Sequence, residues 1–253
     1  MLGNDLLETF VEAHPYDLKG RLKPLDFVQG DVLATPGAAI ETLFFPRSGV
    51  ISIVVELQEG QEIEAGIVGR RGALGGGAVL GATHHAHKAV CQLAGRGWSM
   101  AVTDARELAD KSAEFRHLLM AQEQYLLGQA RQFAACNDSH AILQRLCSWL
   151  LRVQNEVGET EIAMTQENVA KMLGVQRATL SVVASQLQQD DLVSYRRGRI
   201  WIDDQQGLRE RACSCHDALA QQHGLAFRRR KNQRDGHSGG RDHGPSLDGP
   251  SAN

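Results

Sequence analysis

Hydrophobic and polar positions show two different periodicities along the chain. Between residues 27 and 102, short apolar runs such as 49–55 and 63–68 are separated by turn residues, including 35–37 and the pair Glu59-Gly60. Strands of this length, with glycine and proline between them, are typical of an antiparallel barrel or sandwich. The pattern therefore predicts a β-roll. The preceding residues 1–24 carry apolar positions at helical spacing and are predicted as helix.

After Thr103 the apolar positions take a helical spacing up to about residue 136, which predicts one long helix. A heptad-like spacing connects six of them: Phe115, Leu119, Gln122, Leu126, Gln129 and Phe133. Such a seam indicates two helices packed side by side, so we predict a dimer interface at these six residues. The alternative is a single amphipathic helix that lies on its own barrel, with Leu118 and Tyr125 on a second apolar stripe.

The next segment predicts a second helix that starts at the cap-forming residues 137–139 and ends at Gly158. Residues 165–189 then show two short amphipathic runs around Gly174, where the chain must turn sharply. Thr165 suits the cap of the first run, and the small Ala170 allows the two helices to cross closely. Together these features predict a helix-turn-helix.

A short hairpin follows the helix-turn-helix pattern. Residues 192–195 and 200–202 read as two strands, and the turn between them carries Arg196, Arg197 and Arg199 around Gly198. Three arginines at the tip of such a wing suit contacts with DNA phosphates. We therefore predict a DNA-binding surface with nine members: Thr165, Gln166, Gln176, Arg177, Thr179, Ser181, Arg196, Arg197 and Arg199.

The charge distribution supports a polyanionic partner for this region. The formal net charge is −3, yet residues 165–234 carry 12 Lys and Arg against 7 Asp and Glu. A basic segment on an acidic remainder is typical of a chain of which one part meets nucleic acid. No long apolar run predicts a membrane span, and the N-terminus does not resemble a secretory signal. We therefore expect a cytoplasmic protein without a membrane partner.

With these motifs the chain resembles the cyclic-AMP receptor / fumarate-nitrate regulator (Crp/Fnr) family, most clearly at residues 44–52 and 165–203. The resemblance implies an α+β fold: an N-terminal antiparallel β-roll of the jelly-roll, cyclic-nucleotide-binding type, a long dimerisation helix and a C-terminal winged helix-turn-helix. The expected boundaries are 1–103, 104–136 and 137–227, with a disordered tail at 228–253. The resemblance also implies a homodimer on a two-fold symmetric operator, Arg177 as the residue that contacts a guanine, and RNA polymerase as a further partner.

The expected effector site departs from the family pattern. Cyclic-nucleotide binders of the family carry a Gly-Glu pair and a downstream arginine, whereas the corresponding stretch here lacks both. A phosphate could still meet the backbone N–H groups of this glycine-rich stretch, or the glycines could serve tight turns only. The candidate effector residues are Gly69, Arg70, Arg71, Gly72, Gly75 and Gly76. We do not expect a cyclic nucleotide, and an iron–sulfur cluster is disfavoured because no N-terminal cysteine cluster exists.

Two groups of metal-binding residue types remain open. His84, His85 and His87 are interpreted as a solvated loop, with a metal or haem site as the alternative. Cys213, Cys215 and His216 are interpreted as ordinary thiols and a histidine, with a redox or metal element as the alternative. No metal and no cofactor is therefore predicted.

Three functional hypotheses follow from the sequence. The first is a transcription regulator in which an effector bound to the β-roll changes the spacing of the two DNA-contacting helices. The second is a small-molecule-binding module or enzyme with an incidental helical C-terminal domain, although no catalytic pattern supports an active site. The third is a regulator without any ligand. We predict that the protein is not an enzyme.

Overall fold

A computed structural model describes residues 1–14, 17–57 and 60–227. The predicted tail at 228–253 and Glu59 of the predicted hairpin turn lie outside the described residues. The chain begins with helix α1 (Asp5–Ala13), which Asn4 caps by accepting a hydrogen bond from the N–H of Leu7. The N-terminal helical prediction was therefore too long, because the strand β1 already starts at Lys23.

Seven strands form the predicted β-roll. They are β1 (Lys23–Phe27), β2 (Val32–Ala34), β3 (Thr42–Pro46), β4 (Val50–Glu56), β5 (Glu62–Val68), β6 (Lys88–Leu93) and β7 (Gly95–Ala101). They make two antiparallel sheets with the orders β1-β7-β3 and β2-β6-β4-β5. Gly49 enters β4 at φ +77°, and a Cβ there would lie 2.5 Å from the carbonyl oxygen of Leu93, so this tight corner requires glycine.

Between β5 and β6 the chain forms a loop and a 3₁₀ helix at Gly76–Leu80. After β7, the predicted single long helix is in fact two helices, α2 (Val102–Lys111) and α3 (Ala113–Ser139). The break falls at Ser112, whose backbone is extended and whose hydroxyl accepts a hydrogen bond from the N–H of Phe115. A serine cap in mid-pattern ends one helix and starts the next without disturbing the helical spacing on either side.

The C-terminal part is mostly helical. Helix α4 (Ile142–Val157) ends at Gly158 as predicted, but residues 137–139 belong to the last turn of α3 rather than to the cap of α4. The remaining elements are β8 (Glu161–Ile162), α5 (Gln166–Leu173), α6 (Arg177–Gln189), β9 (Val193–Arg196), β10 (Arg199–Ile202), α7 (Gln205–Arg211) and α8 (Cys215–Ala226). The strands β8, β10 and β9 form a small antiparallel sheet.

The hydrophobic core continues from the β-roll into the C-terminal helices. One buried cluster combines Val50 and Ile67 of the roll with Trp149 of α4 and Leu173 of α5. A second cluster packs α1, α2 and the first half of α3 on the other side of the roll. Because the two parts share buried apolar surface, their relative orientation in this conformation is held by packing rather than by the connecting helix alone.

Candidate nucleic-acid interface and ligand loop

Helices α5 and α6 form the predicted helix-turn-helix. Thr165 caps α5 by accepting from the N–H of Asn168 at 3.2 Å, and Gly174 ends it in the left-handed conformation at φ +65°. The buried Ala170 lies in the core beside Leu180 of α6, which leaves room for a close crossing. The local sequence signals of cap, small residue and glycine turn thus predicted this unit correctly.

The N-terminal part of α6 carries exposed polar side chains. Gln176, Arg177 and Thr179 are exposed, as expected for residues that contact DNA. Ser181 is half-buried and its hydroxyl donates to Oε1 of Gln166 at 3.1 Å. These two predicted contact residues therefore hold α5 and α6 together and are less available to an external partner than the other members of the set.

The exposed face of α6 also includes residues that the sequence analysis did not assign to DNA contact. Val182 has 71% of its surface exposed, which is unusual for a valine in a folded domain. Ala178 and Ser185 flank it at helical spacing and are also exposed. The exposure could have been predicted, since these positions alternate with the inward-facing Leu180, Ala184 and Leu187.

The wing is a two-residue hairpin. Arg196 pairs with Arg199 across the ladder, and the turn residues Arg197 and Gly198 have φ values of 49° and 76°. Positive φ at both turn positions is the geometry of a type I′ hairpin. A Cβ on Gly198 would lie 3.5 Å from Cγ2 of Thr165, so the tip of the wing adjoins the start of α5.

The arginines of the wing are not equivalent. Arg199 forms an ion pair with Glu161 of β8. In the part of the chain that the structure describes, Arg177, Arg196 and Arg197 have no such carboxylate partner. Three uncompensated guanidinium groups thus lie at the start of α6 and on the wing, where they can attract a polyanion.

The predicted effector residues lie in the ligand loop, defined here as residues 69–77, but the chain's own groups fill this site. Arg71 donates to Oε1 of Glu156 at 2.6 and 2.9 Å, so its charge is paired within the chain. A Cβ on Gly69 would lie 2.5 Å from Cβ of Glu156, and one on Gly72 would lie 2.6 Å from Gln122. These glycines allow α3 and α4 to approach closely and do not form an open cradle.

The remaining members of the predicted effector set differ from one another. Gly75 takes φ +90° at the turn into the 3₁₀ helix, and a Cβ on Gly76 would meet the Glu123 carboxylate at 3.0 Å. The N–H of Gly77 donates to the same carboxylate at 2.9 Å. Arg70 is exposed, and only its carbonyl is engaged, by the N–H of Asp5. The prediction of a free anion site at Gly69, Arg70, Arg71, Gly72, Gly75 and Gly76 is therefore corrected in part. Gly69, Gly72, Gly75 and Gly76 are closely packed and Arg71 is paired with Glu156, whereas the side chain of Arg70 is exposed.

The predicted dimer seam is also corrected. All six residues face their own chain: Phe115, Leu119, Gln122, Leu126, Gln129 and Phe133. Gln129 makes two hydrogen bonds to the backbone of Ile67 in β5, and the guanidinium of Arg152 lies 3.9 Å from the ring centre of Phe133. The alternative interpretation, a helix on its own barrel, describes these positions, because a heptad spacing does not distinguish an intrachain partner from a second subunit.

A different stripe of α3 faces away from the roll. Its members recur every seven residues and are all exposed: Ala113, Met120, Leu127 and Ala134. Met120 and Leu127 expose 42% and 43% of their surfaces. Residues seven positions apart lie on one face of a helix, so these four side chains form one exposed stripe.

A buried polar contact joins the β-roll to α4. Glu64 of β5 accepts hydrogen bonds from Nε1 of Trp149 at 3.0 Å and from the hydroxyl of Ser52 at 2.7 Å, with Arg152 at 3.9 Å. Burial raises the pKa of Glu64, while the nearby Arg152 and the two hydrogen bonds act in the opposite direction. The sequence alone does not predict this contact, since its members lie in separate elements.

The two groups of metal-binding residue types behave differently. His84, His85 and His87 do not join any group of potential ligands among the described residues. Cys213 and Cys215, in contrast, meet Cys136 and His140 from the end of α3. His216 is buried but does not belong to this group. The spacing of Cys213 and Cys215 did not predict that they would lie next to Cys136 and His140.

Comparisons with known families agree with this architecture. Residues 24–112 match the family model described as a cyclic nucleotide-binding domain. Residues 144–211 match the model described as a Crp-like helix-turn-helix domain. The first covers strands β1 to β7 and α2, and the second covers α4 to α7 with the wing. No curated protein matches the chain significantly over its sequence.

Several solved structures share the fold. FixK2 from Bradyrhizobium japonicum has a TM-score of 0.66 at 14% identity, over 76% of this chain and 98% of that one. The c-di-GMP-responsive regulator CLP from Xanthomonas campestris has a TM-score of 0.59 at 16% identity, over 79% and 98%. A CooA variant from Carboxydothermus hydrogenoformans also reaches 0.59 at 16% identity, over 82% and 95%. None of the helices that the structure describes combines the length and apolar character of a membrane span.

Proposed function

The chain belongs to the Crp/Fnr family of transcription regulators, and we propose that it binds a two-fold symmetric DNA operator as a homodimer. The observation that carries the proposal is a continuous exposed surface, the DNA-contact surface, made of the start of α5, the N-terminal half of α6 and the wing. Its parts adjoin through the contacts of Gly198 with Thr165 and of Ser181 with Gln166. Its uncompensated charges are those of Arg177, Arg196 and Arg197.

Each part of this surface has a role that its chemistry suggests. Arg177, at the first position of α6, suits a bidentate hydrogen bond to a guanine in the major groove. The exposed Val182, one and a half turns further along α6, suits contact with a thymine methyl group. Arg196 and Arg197 suit phosphate contacts, which supply affinity but no base preference.

Dimerisation is proposed through the exposed stripe of α3 at Ala113, Met120, Leu127 and Ala134. Two such helices packed along each other would bury the methionine and leucine side chains that water now reaches. The two α6 helices of a dimer, which would enter the major groove, must then be about 34 Å apart to reach successive turns of the groove.

For the β-roll we propose no cyclic nucleotide at the ligand loop, because Arg71 and the N–H of Gly77 already have carboxylate partners. The regulator then responds to an effector of another kind or to none. We further propose that it acts without catalysis, in the cytoplasm and together with RNA polymerase, as regulators of this family do.

The test is selection of a binding site from random duplexes with the full-length protein, followed by titration of the selected duplex at several salt concentrations. The expected result is an inverted repeat, with an affinity that falls steeply as salt rises, by roughly one power of the salt concentration for each phosphate contact. No enrichment together with a flat salt dependence would favour the small-molecule module or enzyme instead.

The dimer interface has a separate test in sedimentation of the Leu127→Glu variant. Two buried charges at this position of a symmetric interface should shift the protein from dimer to monomer. The matched control is Leu126→Glu, one residue earlier, which points toward Gly66 of the roll and should destabilise the fold instead. A dimer that survives Leu127→Glu would place the interface elsewhere.

A further inference from the structure

Four side chains with metal-binding atoms meet where the long helix α3 ends. Cys136 lies in the last turn of α3 and His140 caps that helix. Cys213 lies between α7 and α8, and Cys215 is the first residue of α8. Their ligand atoms all lie within 4.8 Å of one another. The three cysteines form their own buried cluster, with exposures of 4% to 6%, and His140 closes it on the outer side.

The distances within the group agree with a tetrahedral centre. Bond lengths of about 2.3 Å to sulfur and about 2.0 Å to nitrogen place neighbouring ligand atoms of a tetrahedral zinc site roughly 3.5 to 3.8 Å apart. Sγ of Cys136 lies 3.4 Å from Sγ of Cys213, and Sγ of Cys215 lies 3.6 Å from Nδ1 of His140. The side chains therefore need only small rotations to surround one ion.

Polar side chains lie beside two of the sulfur atoms. The amide of Gln132 donates to Sγ of Cys215 at 3.0 Å, and the hydroxyl of Ser148 lies 3.0 Å from Sγ of Cys213. Donors of this kind are what metal-bound thiolates usually have around them.

Two half-buried arginines add positive charge near the group. Arg145 and Arg152 line the same small cavity as Cys136. Three thiolates, one neutral imidazole and a divalent cation leave a net charge of −1, which these guanidinium groups offset.

We propose that Cys136, His140, Cys213 and Cys215 bind one Zn²⁺ ion in a closed, tetrahedral site. Binding forms three zinc–sulfur bonds and one zinc–nitrogen bond, and the protons of the three thiols pass to solvent. Four protein ligands leave no open position, so the site is structural rather than catalytic.

The location gives the ion a defined mechanical effect. It ties the last turn of α3, which continues the β-roll, to the chain that leaves the winged helix-turn-helix through α7. Helix α8 begins at Cys215 and packs along α3 beside the groove lined by Tyr125 and Leu225. The zinc site would therefore fix the junction between the two halves of the regulator, independently of whether DNA is bound.

The test starts with the full-length protein, purified under reducing conditions without chelator and analysed for metals. We expect one zinc per chain, and exchange for Co²⁺ should give the intense visible bands of tetrahedral cobalt with thiolate charge-transfer absorption. Single variants Cys136→Ser, His140→Ala, Cys213→Ser and Cys215→Ser should each lose stoichiometric zinc. The controls Cys91→Ser and Cys147→Ala change buried cysteines outside the group and should retain it.

Because a ligand variant could simply fail to fold, a second variant keeps the ligands and removes a neighbour. Gln132→Leu deletes the amide that donates to Cys215 and should weaken zinc binding about 10- to 100-fold in a chelator competition, with the protein still folded. A folded protein that contains no zinc and takes up none when reduced would overturn the proposal. A Cys136–Cys213 disulfide in the protein as isolated, or iron with acid-labile sulfide, would also overturn it. None of these results depends on DNA binding, so they leave the proposed function untouched.

Discussion

The DNA-contact surface and the ligand loop both carry arginines and backbone N–H groups that suit anions. The fold leaves these groups unpaired in the first region and pairs most of them with carboxylates in the second. In the DNA-contact surface, Arg177 and Arg196 extend into solvent without a carboxylate partner among the described residues. In the ligand loop, Glu156 neutralises Arg71 and Glu123 occupies the N–H of Gly77. Arginines and glycine-rich N–H groups in a sequence therefore indicate an anion site only where the fold leaves these groups without a partner.

This difference has an energetic consequence. Groups that are paired within the chain contribute to stability, whereas unpaired groups on an open surface contribute to binding. Substitutions in the ligand loop should therefore destabilise the protein with little direct effect on DNA contact. Substitutions on the DNA-contact surface should weaken DNA binding and leave the free energy of unfolding nearly unchanged.

The largest expected effect is that of Glu156→Ala on stability. It leaves Arg71 without its partner in a mostly buried place and should lower the free energy of unfolding by about 3 kcal/mol, measured by chemical denaturation. The matched control is Glu167→Ala, which breaks an exposed helical pair with Lys171 and should cost less than about 1 kcal/mol. Equal and small effects of both variants would show that the ligand loop is open in solution.

The second prediction concerns the close approach at Gly69. A methyl group there meets Cβ of Glu156, so Gly69→Ala should destabilise the protein by about 1–3 kcal/mol through overpacking. Gly224→Ala in α8 is the control, because nothing lies within 4 Å of its Cβ position; it should stabilise by up to about 1 kcal/mol. Thermal unfolding of both variants distinguishes a packed loop from a loop with free space.

Third, Arg177→Ala should weaken binding to the selected operator by about 1–3 kcal/mol and relax the base preference at one position. The free energy of unfolding should change by less than about 0.5 kcal/mol, because the side chain is exposed. Arg96→Ala removes an exposed charge from the β-roll and serves as the control for net charge. A uniform loss of affinity on all sequences would contradict a base-specific role of Arg177.

Fourth, the wing arginines should differ from one another. Arg196→Ala should weaken binding to specific and random duplexes alike and reduce the salt slope by about one unit. Arg199→Ala should have a smaller effect on the slope, since Glu161 already offsets its charge. The measurement is the salt dependence of affinity for both variants, and a larger effect of Arg199→Ala would mean that the ion pair opens on DNA.

A further expected effect is a pH dependence near the ligand loop. Burial lowers the pKa of His223 to about 4 from its ordinary 6.5, where it packs between Tyr125 and Phe227 beside Arg71. The unfolded chain takes up a proton first, so the free energy of unfolding should fall as the pH drops from about 6.5 toward 4. Urea denaturation at pH 7 and pH 5 should show this loss in the native protein and a reduced loss in His223→Phe. An identical slope in both proteins would remove His223 as its origin.

The parts of the fold that the sequence predicted are those encoded over short distances. The turn at Gly174, the cap at Thr165 and the hairpin at Arg197-Gly198 each rest on backbone preferences of neighbouring residues. For this reason the helix-turn-helix and wing follow from the sequence nearly to the residue. The break at Ser112 was missed, because a serine is compatible both with a helix interior and with a cap.

Long-range partners were not predictable in the same way. The spacing of Phe115 to Phe133 indicated correctly that this face of α3 is covered, yet gave no information on whether a second subunit or the β-roll covers it. The cysteine group shows the same limit, since 77 positions separate Cys136 from Cys213. Its C-x-C spacing became meaningful only when the fold brought Cys136 and His140 alongside.

The amino-acid sequence by itself determined the elements of this protein, its basic C-terminal part and the residue types that DNA contact requires, because local backbone preference and side-chain chemistry act within a few residues. Only the tertiary structure decided which of two anion-binding stretches stays open, which face of α3 is free and which cysteines meet. Those outcomes depend on packing between segments far apart in the chain, because these contacts determine both which groups are buried and which charges are paired.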